Sequence, residues 1–142
     1  MTAEAPNSGF NSIDPLGGRM NGTQTFAMIA IQALAAGLGG YCLILFFRRA
    51  RNQFIVVIHL VAGLGVIETM AGAIHMSELA ADSPVRALGI LAVKAFAVAA
   101  LAGILIPIFG KGRPQLANLL LTIHVGSALL GFFSSLSFVK QF

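Results

Sequence analysis

From Thr25 onward the chain alternates long apolar runs with short polar links, the runs covering Thr25 to Phe47, Gln53 to Met76, Val85 to Phe109 and Gln115 to Val139. Each is close to the roughly 20 residues that a helix needs to cross a bilayer core. None alternates with period two, each is too long for a membrane strand, and lipid forbids unpaired strand edges. The pattern predicts an all-α integral membrane protein, a bundle of four transmembrane helices in one domain, residues 25–142. Residues 1–24 mix Pro6, Gly9, Pro15, Gly17, Gly18 and Gly22 with Asn and Ser, which predicts a polar, flexible N-terminal tail. No basic segment precedes an apolar stretch there, so no cleaved signal peptide is expected.

The links punctuate the runs clearly. Arg48, Arg49 and Arg51 lie in the first and Lys111 and Arg113 in the third, whereas Glu78, Asp82 and Arg86 surround the second. Short links make neighbouring helices antiparallel. The basic pair of links on one side then predicts, by the positive-inside rule, that both termini are non-cytoplasmic.

Composition sharpens this picture. The 142 residues are 57% hydrophobic and 10% charged, and the mean hydropathy of +0.88 lies far outside the range of a soluble domain. The net charge of +4 sits in short links and not on one soluble face, so nucleic acid is not an expected partner. The lipid bilayer is, together with other membrane subunits or a homo-oligomer. Cys42 is the single cysteine, which excludes an intrachain disulfide.

Sliding the chain 62 residues along itself superposes Gln32 on Lys94, Leu43 on Leu105, Phe47 on Phe109, Arg49 on Lys111, Arg51 on Arg113 and Gln53 on Gln115. A further three-residue shift brings Ile58-His59 onto Ile123-His124. The bundle is therefore expected to be a duplicated two-helix unit, its halves related by an axis near the membrane normal.

Polar residues inside apolar spans carry the candidate chemistry. His59 lies about six residues into the second span and His124 about nine into the fourth, roughly 9 and 14 Å from the basic side. Two neutral imidazoles at matched depth are what a six-coordinate haem b iron needs, while a single one suits the magnesium of a (bacterio)chlorophyll. Gly63, Gly126, Ser127 and Ala128 leave room beside them for a flat macrocycle. The plain alternative is that each histidine bonds a neighbouring backbone carbonyl and the glycines serve helix packing. His75 is about 24 Å along the helix from His59 and cannot share a ligand with it; an interfacial histidine meeting water is the simpler reading.

Glu68 and Lys94 are expected at a common depth, roughly 12 to 14 Å from the acidic side, where they would form an intramembrane ion pair with Gln32 as a third member. Such a pair serves either as a registry device between helices or as a proton or ion relay. Ala33, Ala36, Gly37, Gly39 and Gly40 give the first span small-xxx-small spacings, and the face of Ala33, Gly37 and Gly40 is expected to meet another protein or a second copy. Pro107 is placed to kink the third span or to begin its stop. Ser134, Ser135 and Ser137 are expected to bond to the preceding turn.

No phosphate loop, CxxC, HExxH or nucleophilic triad is present, so an enzyme is not the expected class. Three functions fit: a small haem- or pigment-binding electron-transfer protein using His59 and His124, a non-catalytic accessory subunit or scaffold of a larger membrane complex, and a small transporter or proton-conducting protein using Glu68 and Lys94. The stretch IHVGSALLGFF around His124 resembles the His-plus-small-residue spans of four-helix b-type membrane cytochromes over about a dozen residues. The resemblance implies haem b at His124; a two-haem arrangement of that kind needs four placed histidines, and this chain has three.

Overall fold

The computed structural model describes residues 22–50, 52–77 and 79–142, all of whose regular structure is α-helical. Four helices follow in order: α1 (Gly22–Phe47), α2 (Gln53–Met76), α3 (Pro84–Phe109) and α4 (Pro114–Val139). All four are long and apolar enough to cross a membrane, as the runs predict. The tail expected over residues 1–24 lies outside the described residues, apart from Gly22 to Gln24, which form the first turn of α1.

Local chemistry fixes the ends. The Asn52 side chain accepts a hydrogen bond from the Ile55 backbone N–H at 3.3 Å and so caps α2. α3 and α4 each begin one residue earlier than the apolar runs suggest, on Pro84 and Pro114. Proline is pre-set for the first helical position, where its missing N–H is no loss. Pro107 does not end α3, which runs on to Phe109 before the Gly110 N–H closes on the Ile106 carbonyl at 2.8 Å. Each basic link contains one residue in the left-handed region, Arg49 (φ 55°) and Gly112 (φ 74°). In the second link the Arg86 guanidinium donates to the Leu79 carbonyl at 2.9 Å, tying the loop to the start of α3.

α3 and α4 pair most extensively, α1 packs chiefly on α2, and α2 joins the halves through α3. The α3–α4 seam shows why. Gly89 faces Phe138, Phe96 faces Gly131, Gly103 faces His124 and Gly110 faces Ala117. These rungs recur at heptad spacing on both helices, and three of the four set a larger side chain into a glycine notch, the knob-into-hole logic of a left-handed pair. In lipid, where no hydrophobic effect drives helices together, such close van der Waals contact supplies the association.

The tightest core lies in the half of the bundle that holds the second link. Met28, Met70, Ala73, Ile74, Ala92 and Phe138 form it, with Phe96, Val85 and Leu88 packed around them. A polar thread crosses its edge. Gln32 of α1 donates from Nε2 to the Ser135 hydroxyl of α4, which in turn donates to the Met70 sulfur of α2 at 3.3 Å. Three helices are thus tied by one buried network, although the Gln32 carbonyl oxygen is left without a partner.

Candidate functional site

His59 and His124 come together in the other half of the bundle. Their ring centroids are 5.8 Å apart and the ring planes stand at 80°. The two imidazoles, on α2 and α4, form one contact between the α1–α2 and α3–α4 pairs.

Each ring is seated on a glycine of the preceding helix. A Cβ at Gly39 would sit 3.0 Å from Cε1 of His59, and a Cβ at Gly103 would sit 3.0 Å from Nδ1 and 3.1 Å from Cε1 of His124. Any side chain at either position would push the ring away. The backbone one turn before each glycine also acts on the ring. The His124 Nδ1–H donates to the Ala99 carbonyl at 2.7 Å; because a carbonyl only accepts, this tautomer leaves the Nε2 lone pair free. The Ala35 backbone holds the corresponding place beside His59, whose Nδ1 is buried with no hydrogen-bond partner among the described residues. The equivalent positions, Ala35 with Ala99, Gly39 with Gly103 and His59 with His124, are spaced slightly further apart than the 62-residue shift read from the sequence.

The surroundings are open where a larger group would need room. A Cβ at Gly63, one turn beyond His59 on α2, would meet no atom within 4 Å; Gly126 of α4 is open as well, but two residues from His124 it lies on the far face of that helix. Gly37 and Gly40 of α1 are open in the same sense, and with Ala33 they form an exposed small-residue face.

The remaining candidates are placed apart from this pair. Glu68 and Lys94 do not form the ion pair expected within the chain: both side chains are exposed, and no contact joins them. The reason is rotational. Glu68 lies two residues from both buried Val66 and buried Met70, which turns it to the opposite face of α2. Lys94 falls off the buried stripe Ala92, Ala95, Ala99 and Ala102 of α3 and joins exposed Leu91, Val98 and Leu101. Gln32 is not a third member of that pair but belongs to the Ser135–Met70 network. His75 is exposed near the end of α2, far from His59. Cys42 is a free, half-buried thiol. Ser137 bonds the Phe133 carbonyl one turn back at 2.9 Å, as expected of the serine cluster, whereas Ser135 reaches across to α1.

No known family, curated protein or solved structure matches the chain. The site must speak for itself. Among the described residues no group of three or more His, Cys, Asp or Glu could hold a metal ion, so this part of the bundle offers a pair of imidazoles. A bare first-row ion would be left short of ligands there. A metal already held in a macrocycle needs only axial ligands, and two imidazoles complete it.

The glycine notches and the Ala99 carbonyl were not singled out from sequence. A signal for them exists: Ala35 and Gly39 in α1, and Ala99 and Gly103 in α3, repeat one small-xxx-small spacing, each one helix before a histidine.

Proposed function

We propose that this is a small integral membrane haem protein of the electron-transfer class, in which His59 and His124 are the axial ligands of one haem b. The observation that carries the reading is their proximity. Two imidazoles that share one iron need ring centroids roughly 6 Å apart, and at 5.8 Å the two rings are close enough to hold a metal between them. The near-perpendicular planes are compatible as well, since each ring is free to take any rotation about its own bond to the metal.

Three further features support it. The Ala99 carbonyl holds His124 in the tautomer that presents Nε2, the second-sphere contact typical of a ligating histidine. The notches at Gly39 and Gly103 fix both ring positions. Open space at Gly63, one turn beyond His59, gives a flat macrocycle somewhere to extend. A chlorophyll magnesium needs only one histidine, so two imidazoles this close favour haem over that pigment. When bound, the iron would supply one-electron chemistry; the chain itself orients the imidazoles.

The transport reading receives less support, because Glu68, Lys94 and Gln32 form no polar path through the bundle. In orientation, the basic links are assigned to the cytoplasmic side by their arginines and lysine, which leaves both termini outside. An absorption spectrum of the protein purified from membranes tests the function. A haem band that is lost in His59→Ala and in His124→Ala is expected; a folded, colourless preparation that takes up no added haem would refute the assignment.

A further inference from the structure

Two charges of opposite sign face outward from the middle of the bundle. Glu68 falls eight residues before the end of α2 and Lys94 ten after the start of α3, so each lies within about 5 Å of its helix midpoint and on the same side of it. Glu68 shares an outward stripe with Val61, Leu64 and Ala71; Lys94 shares one with Leu91, Val98 and Leu101. These are membrane-facing surfaces by composition. Neither side chain is long enough to cross the roughly 10 Å of hydrocarbon that separates it from the nearer interface.

An ionisable group in that position is expensive unless it meets a partner, and among the described residues none reaches either one. A lipid tail offers no counter-charge. A second copy offers both missing charges at the right depth: rotation about an axis along the membrane normal preserves depth, and the two residues already share it. The apolar stripes beside them would be buried in the same contact.

We propose that Glu68 of one copy pairs with Lys94 of another inside the membrane, making the outward faces of α2 and α3 an interface between copies of this chain. A twofold dimer makes the contact twice; a ring makes it once per neighbour. Because the pair is held in low dielectric, it selects the partner face and its register more than it adds raw affinity. The inference does not depend on what His59 and His124 bind.

Two differently tagged full-length copies, one carrying Glu68→Cys and the other Lys94→Cys in a Cys42→Ala background, should be co-expressed and oxidised in membranes. A covalent heterodimer is expected from that combination, and none from either variant with itself. In parallel, energy transfer between labelled copies in vesicles should fall at least tenfold for Glu68→Lys and for Lys94→Glu, and return in the double exchange. Absence of the 68–94 crosslink, or single exchanges that associate like the unaltered chain, would overturn the proposal. Should a charge reversal prevent folding, Glu68→Gln and Lys94→Met provide the same comparison; unchanged association of both would again be decisive against it.

Discussion

Replacing Gly103 by alanine isolates the notch that seats His124. The new methyl carbon would stand 3.0 Å from the ring Nδ1 and 3.1 Å from Cε1, inside ordinary contact distance, so the ring must move by a few tenths of an ångström. Its hydrogen bond to Ala99, already at 2.7 Å, is then pushed out of line. Overpacking of this kind costs about 1–3 kcal/mol, and a weakened hydrogen bond adds up to about 1 kcal/mol. Alanine also gains helix propensity over glycine, about 0.8–1.0 kcal/mol, which would blur a simple comparison with the unaltered chain. Gly126→Ala removes that ambiguity. It makes the same chemical change in α4, where a Cβ meets no atom within 4 Å, so the propensity gain cancels between the two variants. Gly103→Ala should therefore be the less stable by about 2 kcal/mol, roughly thirty-fold in the folding equilibrium. Reversible unfolding of both proteins in mixed micelles of a mild detergent and a denaturing one would measure it. Equal stabilities, or a more stable Gly103→Ala, would refute the notch.

The polar thread in the core gives an asymmetric pair of outcomes. Ser135→Ala strips the Gln32 amide of its hydroxyl partner while its carbonyl oxygen is already unsatisfied, and should destabilise by about 1–3 kcal/mol; Gln32→Leu removes both buried polar atoms and should cost less, which the same unfolding assay distinguishes. Gly37→Leu should leave the melting temperature unchanged, because nothing lies within 4 Å of that position; a clear drop would show that α1 packs through this face inside the chain. Cysteine at Ala50, an exposed residue of the first basic link, should react with an impermeant thiol reagent only after the cytoplasmic side is opened, and labelling from outside would reverse the orientation.

Helix number, order and boundaries were legible because lipid imposes one rule on the whole chain: a span must be apolar, about 20 residues long and helical. The ends at Phe47, Met76, Phe109 and Val139 coincide with the last residues of the apolar runs. The differences at Pro84 and Pro114 come from helix chemistry that hydropathy does not register. Rotation was harder to read. Because these helices are apolar on nearly every face, depth could be counted along the sequence but the inward face could not, and so Glu68 and Lys94, matched in depth by that count, were expected to meet and instead point outward. The histidine pair was approached through depth alone, and the 5.8 Å between the rings adds what the count lacked. What fixes that geometry, Gly39 and Gly103, was hidden among the 16 glycines of the chain, most of which could equally well serve packing or open space.

The central claim is that His59 and His124 hold one iron from opposite faces, and low-temperature electron paramagnetic resonance of the oxidised, haem-loaded protein tests it most directly. Two imidazole ligands whose planes stand at 80° should give a low-spin ferric signal of the strongly anisotropic kind that perpendicular ligand planes produce, with one haem per chain, and His124→Ala or His59→Ala should convert it to a high-spin signal or abolish binding. A high-spin signal in the unaltered protein, or a low-spin one that survives either substitution, would contradict the account.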